Sequence, residues 1–307
     1  MEPVTPRINN ILCPTDLSEA STHAIELATT LARWYKGRIT AQYVYTPMVT
    51  PIPTLPTTTA SASQADVQRA HDQTAASFRE ALEEGLHVDV TVDVGRPEVE
   101  ILERAKRLPA DVIVMGTHGA SGFERLVLGS VAEKVLRKAP CPVLTVPPRA
   151  HSTSVVPFKQ LLCAIDFSEA SLAGFQLGCS MAQHSGAGLT LINVLEWPWK
   201  EPPAPALDAL PSEQAAALAE YRRYLENGAT KRLEAIIPEA VRTECSPQIV
   251  IRHGKPYVEI LRVAEEQRAD LIVIGVRGRN PIDLALLGST TNHVVRSATC
   301  PVLTLKQ

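Results

Sequence analysis

The sequence predicts an α/β protein built as two tandem domains, each an open five-stranded parallel sheet with helices on both faces. Three observations carry that prediction. Short β-branched runs alternate with longer segments of helical period, the order expected of βαβ units. The strand-like runs are apolar at nearly every position, as strands covered on both faces must be. The whole pattern also occurs twice. Ile11-Leu-Cys-Pro-Thr-Asp-Leu-Ser-Glu-Ala-Ser21 returns 150 positions later as Leu161-Leu-Cys-Ala-Ile-Asp-Phe-Ser-Glu-Ala-Ser171. Gly129-Ser130 and Cys141-Pro-Val-Leu-Thr145 return 159 positions later as Gly288-Ser289 and Cys300-Pro-Val-Leu-Thr304, so the second copy holds about nine more residues in its middle. A period this long exceeds that of solenoid repeats and indicates a duplicated domain. The 307 residues divide at a Pro, Ser and Thr cluster over Pro147 to Pro157, giving domains over 1–148 and 156–307.

In the first copy, strands are predicted near 8–14, 38–45, 88–94, 111–116 and 142–146, and helices near 18–35, 64–84, 97–107 and 130–138. The last helix shows the reasoning: Val131, Ala132, Val135 and Leu136 share one face, with Glu133, Lys134, Arg137 and Lys138 on the other. In the second copy the strands fall near 159–165, 188–195, 248–253, 270–275 and 301–305, and the helices near 168–185, 212–235, 256–267 and 289–297. Two Pro-rich stretches, Thr46 to Thr59 and Trp197 to Pro211, sit at equivalent places before the second helix of each copy and read as surface loops.

Composition excludes several classes of function. With 45% hydrophobic and 21% charged residues the chain can bury a core, which rules out a largely disordered protein. Thirty basic against 33 acidic residues leave no electrostatic footprint for nucleic acid or an anionic membrane. Met1 to Asn10 lack the pattern of a secretory signal, and no run approaches the roughly 18 apolar residues of a membrane span, so a cytoplasmic location is expected. The six cysteines form no CxxC pair and read as small buried apolar residues, with redox sensing the alternative.

Chemistry is expected beyond the carboxyl ends of the strands, where strand order reverses. After the fourth strand of the first copy comes Gly116-Thr-His-Gly119, then nine residues, then Gly129-Ser130 opening a helix. The second copy repeats the spacing with Gly275-Val-Arg-Gly278 and Gly288-Ser289. Glycines let backbone approach an anion closely, and free amides at a helix start receive negative charge, so the layout suits a phosphate. Ser130, and Ser289 with Thr290 and Thr291, add hydroxyl donors. The plainer reading is that these glycines only cap strands and form turns. Asp16 and Asp166 end the first strand of each copy and are either helix caps or partners for a nucleoside across the crevice. There is no Walker motif, no G-x-G-x-x-G, no G-x-S-x-G and no H-E-x-x-H. The eight histidines never pair at ligand spacing, so no metal site is expected. His118, beside the glycines, reads as a phosphate-side donor or a solvated loop residue.

At these residues the chain resembles the universal stress protein family, in its two-domain form. The resemblance covers nearly all of 8–146 and 159–305 and includes Gly95-Arg-Pro97 and Gly254-Lys-Pro256 after the third strands. It implies a Rossmann-like fold of the adenine nucleotide alpha hydrolase type and, since both copies keep the glycine motif, the ATP-binding branch. In the implied pocket, adenine and ribose meet Pro14, Thr15, Asp16 and Val44, while Met115, Gly116, Gly119, Gly129, Ser130 and Val131 hold the phosphates. The matching residues are Ala164, Ile165, Asp166, Val194, Ile274, Gly275, Gly278, Gly288, Ser289, Thr290 and Thr291. Arg277 stands for His118, and Arg279-Asn280-Pro281 for Ala120-Ser121-Gly122, making the second loop stiffer and more basic. Both sites are expected to bind, and Mg²⁺ would reach Asp16 only with the phosphates folded toward it.

The resemblance further implies pairing of the two domains through their last strands, Val143 to Val146 against Val302 to Leu305, which hides two apolar edges. The expected result is a pseudo-twofold chain that can form a homodimer in turn. Three functional readings follow. The first is a nucleotide-dependent regulator of a stress response acting on a protein partner. The second is a slow ATPase or nucleotidyl-handling enzyme, for which no base-and-nucleophile pair is evident. The third is a scaffold whose glycines serve turns alone.

Overall fold

The computed structural model of the chain describes residues 7–46, 62–117, 128–148, 158–196, 212–276 and 288–306. Apart from Thr46, both Pro-rich stretches, most of the Pro147 to Pro157 joint, and the glycine loops that carry His118, Gly119, Arg277 and Gly278 lie outside them.

The first domain runs β1 (Asn10–Thr15), α1 (Glu19–Tyr35), β2 (Arg38–Tyr45), α2 (Gln64–Ser77), α3 (Arg79–Glu83), β3 (Val88–Val94), α4 (Pro97–Arg107), β4 (Val112–Gly116), α5 (Ser130–Lys138) and β5 (Val143–Val146). The second runs β6 (Gln160–Ala164), α6 (Glu169–Ser185), β7 (Gly188–Leu195), α7 (Ser212–Ile236), α8 (Glu239–Cys245), β8 (Gln248–His253), α9 (Pro256–Glu266), β9 (Leu271–Gly275), α10 (Ser289–Ser297) and β10 (Val302–Leu305). Local chemistry explains the boundaries. Pro97 and Pro256 open α4 and α9, where the missing N–H costs nothing. In α4, Glu98 and Glu100 occupy the first turn and Arg104, Lys106 and Arg107 the last, matching the helix dipole. Helix α6 ends on Gly186 in the left-handed region, at φ 67°.

Two elements differ from the sequence pattern. The single helix predicted over 64–84 breaks at Phe78, whose ring is 1% exposed in the core and whose φ of −106° leaves the helical well. Burying that ring outweighs one more turn of regular helix. A short helix, α8, follows Pro238 where none was expected.

Each domain lays out its parallel strands so that the first strand sits between the second and the fourth, and the two halves join into one ten-stranded sheet, β3-β2-β1-β4-β5-β10-β9-β6-β7-β8. At the centre β5 and β10 run antiparallel, with Leu144 opposite Leu303, Thr145 opposite Val302 and Val143 opposite Thr304. The pairing expected between the last strands is therefore present within the chain. Its symmetry extends to side chains: the Thr145 hydroxyl donates to the Val302 carbonyl and the Thr304 hydroxyl to the Val143 carbonyl, each at 3.1 Å. Helices complete the junction on both faces. Tyr35 of α1 bonds Ser180 of α6 at 3.0 Å and packs on His184, while Trp34 meets Phe158 edge to face. On the other face Arg296 of α10 reaches Glu133 of α5.

One core, holding α1, α6 and Phe78, covers one face of the sheet; a second, holding α4, α5, α9 and α10, covers the other. Each contains residues of both domains. At the opposite edge from the crevices, one carboxylate per domain ties the first strand to the fourth. Asp111 accepts from the amides of Asn9 and Asn10, and Asp270 from those of Lys159 and Gln160, all between 2.7 and 3.0 Å. Among the described residues no helix is long and apolar enough to cross a membrane.

Candidate functional site

Strand order reverses between β1 and β4, which pair in parallel through Ile11 with Val112 and Leu12 with Ile113. The chain leaving β1 turns into α1 on one face, and α5 lies on the other, so a crevice opens between them at the carboxyl ends. In the first domain it is a cleft of about 330 Å³, within the range of small-molecule sites.

The predicted residues of this domain converge on it. Pro14, Thr15 and Asp16 come from the end of β1, Val44 from β2, Met115 and Gly116 from β4, and Gly129, Ser130 and Val131 from the start of α5. Gly119 lies outside the described residues. The sequence reading missed Ser21, Gln42, Tyr43, Thr46, Pro97, Ile101, Thr117 and Ala132, which also line the cleft. Two of these had a signal: Gln42 shares a strand face with Val44 two residues on, and Ile101 lies one helical turn beyond Pro97.

The turn from β1 into α1 holds a non-glycine residue in the left-handed region, Leu17 at φ 62°, and the second domain does the same with Phe167 at φ 65°. Such a residue costs about 1–2 kcal/mol, so its neighbours must over-determine it. Asp16 Oδ1 accepts from the Ser18 amide at 3.1 Å and the Ser18 hydroxyl at 2.6 Å. Thr15 Oγ1 accepts from the Leu17 amide at 3.1 Å and pairs with the Ser21 hydroxyl at 3.0 Å. Asp166 repeats the first pattern with Ser168, at 3.0 and 2.6 Å. Ser18 and Ser168, not the aspartates, occupy the N-cap positions. Asp16 therefore pins the turn ahead of the cap and stays exposed at the mouth of the cleft.

At the other end, the Thr117 amide donates to the Val146 carbonyl at 3.0 Å and the Gly129 amide to the Thr117 carbonyl at 2.8 Å, which seats the start of α5 over the ends of β4 and β5. The first intrahelical bond there runs from the Glu133 amide to the Gly129 carbonyl. Helix geometry leaves the amides of Ser130, Val131 and Ala132 without intrahelical acceptors, and no side chain caps the helix. Those amides, the positive end of the dipole and the Ser130 hydroxyl make an anion cradle. The floor beside it is apolar: Met115 is 6% and Ile101 3% exposed. A ligand with an apolar body and an anionic tail fits this donor set.

Helices α4 and α5, whose first turns both border the cleft, are clamped together. Glu98 Oε1 accepts from Lys134 at 2.9 Å and from Arg96 at 2.6 Å. The Lys134 ammonium, joined by Glu98's own backbone and Arg96, holds the Glu98 carboxyl at about 2, against the opposing effect of desolvation. The second domain replaces this ion pair by Tyr257 stacked on His293, with ring centroids 4.4 Å apart.

The second domain brings its predicted residues to the same places: Ala164, Ile165 and Asp166 at and beyond the end of β6, Val194 on β7, Ile274 and Gly275 on β9, and Gly288, Ser289, Thr290 and Thr291 at the start of α10. Gly278 is outside the described residues. The floor of its crevice differs. Ile165 replaces Thr15 and Thr291 replaces Ala132, both almost fully buried, and the Thr291 hydroxyl donates to the Gly275 carbonyl at 2.7 Å. The glycines here also have a packing role. A Cβ on Gly288 would lie 2.7 Å from the Val276 carbonyl oxygen, and one on Gly275 would lie 3.0 Å from the Ser171 amide.

Among the described residues no group of His, Cys, Asp or Glu is placed to hold a metal ion. Four cysteines are buried and two half-buried. Burial pushes the thiols of Cys13, Cys141, Cys179 and Cys300 up to about 12, and raises those of Cys163 and Cys245 as well. The packing role fits them better than redox sensing.

Comparison with known proteins agrees with this architecture. The family model described as the universal stress protein family matches residues 7–147 and again 157–306. A universal stress protein of Methanocaldococcus jannaschii is 36% identical over 138 residues, covering 44% of this chain and 80% of that protein. One from Mycobacterium tuberculosis strain H37Rv is 27% identical over 210 residues, and the match spans 64% of this chain and 62% of the relative, less than two thirds of its length. Among solved structures, a universal stress protein from Archaeoglobus fulgidus is 25% identical with a TM-score of 0.61, covering 97% of this chain and 98% of its own. A functionally unknown protein from Pseudomonas aeruginosa shares the fold at 20% identity and a TM-score of 0.67, covering 98% and 94% of the two chains. With the family model matching both halves of a duplicated, internally paired sheet, the chain belongs to the universal stress protein family and carries two of its domains in tandem.

Proposed function

We propose that the first domain's cleft binds an adenine nucleotide, ATP in the first instance, and that occupancy regulates a stress response through a protein partner. The observation that carries this reading is the cleft itself: an apolar chamber ending in the uncapped amides of α5. In this arrangement the base and ribose lie against Pro14, Thr15, Asp16 and Val44, and the phosphates meet Gly129, Ser130 and Val131. The second domain offers the equivalent residues on a more filled floor, so its affinity is the weaker of the two.

Equilibrium dialysis against ATP tests the reading. The tight class of sites is expected to hold one nucleotide per chain, to vanish in Gly129→Asp, which puts a carboxylate at the cradle, and to survive Ser289→Asp, which puts one at the exposed start of the second domain's helix. Zero nucleotides bound by the wild-type chain at millimolar ATP would refute it. Overnight incubation separates a binding module from an enzyme: a regulator releases no more ADP or AMP than the Gly129→Asp control.

A further inference from the structure

The cleft of the first domain contains a polar group that the fold does not require. Gln42 on β2 lines the cleft and is fully buried. Its Nε2 donates to Asp93 Oδ2 at 2.7 Å, and Asp93 Oδ1 in turn accepts from Arg104 at 2.6 Å. A carboxylate only accepts, so the amide nitrogen must face Asp93 and the Oε1 must point the other way. That oxygen is buried without a hydrogen-bond partner. A buried acceptor left unmade is destabilising, and the other domain avoids the cost altogether. There the three equivalent positions hold Ile192, Arg252 and Val263, with Ile192 and Val263 in the core. The same sheet thus folds with an isoleucine where the first domain carries a glutamine oriented by a carboxylate and a guanidinium.

Resting on the nucleotide reading above, we infer that Gln42 reads the base: its Oε1 accepts a hydrogen bond from the exocyclic amino group of a 6-aminopurine, and the Asp93–Arg104 pair fixes which end of the amide faces the ligand. Val44, on the same strand face and nearer the mouth, packs against the ring, so the edge of the base points down the strand toward Gln42. A 6-oxopurine would set its carbonyl oxygen against Oε1. The amide cannot turn to meet it without facing its own oxygen to the Asp93 carboxylate.

Calorimetric titration of the intact chain with three ligands tests this: ATP, the triphosphate of purine riboside, which lacks the amino group, and ITP, which replaces it by an oxygen. Wild type is expected to bind ATP roughly tenfold to a hundredfold more tightly than the other two, the value of one buried hydrogen bond. In Gln42→Leu, which puts an apolar side chain where the second domain has Ile192, the three affinities converge. In Asp93→Asn the amide is free to turn, and ITP gains on ATP while purine riboside triphosphate does not. A merely structural Gln42 predicts parallel losses for all three ligands. Equal binding of the three by wild type, or a preference unchanged in Gln42→Leu, overturns this inference and leaves the nucleotide site standing. Failure of wild type to bind any of them overturns both.

Discussion

Leu144 and Leu303 lie opposite each other where the two domains meet, and both are fully buried in the same core. Replacing either by alanine removes its transfer free energy and leaves a cavity, at a cost of about 3 kcal/mol within the usual range of 2–5. At about 2.1 cal/mol/K per residue, 307 residues give an unfolding entropy of roughly 0.6 kcal/mol/K, so each truncation lowers Tm by about 5 °C. The decisive number is the coupling. Directly opposed side chains on one sheet face touch, so the second truncation removes contacts already lost in the first, and the double variant falls short of additivity by about 1 kcal/mol. Urea unfolding followed by far-UV circular dichroism and by tryptophan fluorescence measures all four corners of the cycle. Coincidence of the two signals tests whether both domains unfold as one unit. Additivity of the two truncations to within about 0.3 kcal/mol would mean that the side chains do not meet in solution, and the ten-stranded sheet would be wrong.

Two further outcomes follow from the titrating groups. Glu98 carries a folded-state carboxyl near 2 against an ordinary value of 4.5, so its stabilisation is complete above pH 4.5 and is lost as pH falls from there toward 2. Glu98→Gln is expected to cost about 1 kcal/mol at pH 7, since Arg96 and Lys134 are solvent-facing, and only a small part of that at pH 2, where the carboxyl is half protonated; urea midpoints of the two proteins that stay parallel across this window would contradict the clamp. The six cysteines are expected to resist a disulfide reagent for hours in the native chain at pH 8 and to react within seconds in denaturant; rapid labelling of one native thiol would reopen the redox reading.

Much of the candidate site was readable because its residues are fixed by local rules. Gly116 and Gly129 announce a strand end and a helix start, and Pro14, Thr15 and Asp16 sit at the end of an apolar run. Val44 was named through the family resemblance, and the structure puts it on the wall of the cleft. The role of Asp16 was only half readable, since a carboxylate at a strand end can cap the next helix or face a nucleoside across the crevice. The structure removes the cap reading, because Ser18 takes the N-cap position, and adds a turn-tying role through the left-handed Leu17 and the two bonds from Ser18. The break at Phe78 was hidden for a related reason: helical periodicity continues through it, and what ends the helix is the depth of a ring in the core, a property of distant strands.

By itself the sequence determined the duplicated domain, the parallel strands and the two glycine-bearing crevice edges, because each depends on patterns within a few tens of residues. The tertiary structure alone decided that Gln42, Asp93 and Arg104 form one chain of hydrogen bonds, with Gln42 and Asp93 lying 51 positions apart in sequence. It also decided that the equivalent crevice in the second domain has a different floor. Such contacts arise from which strands become neighbours and how deeply each side chain sinks between them. No short-range pattern of residue types encodes that depth.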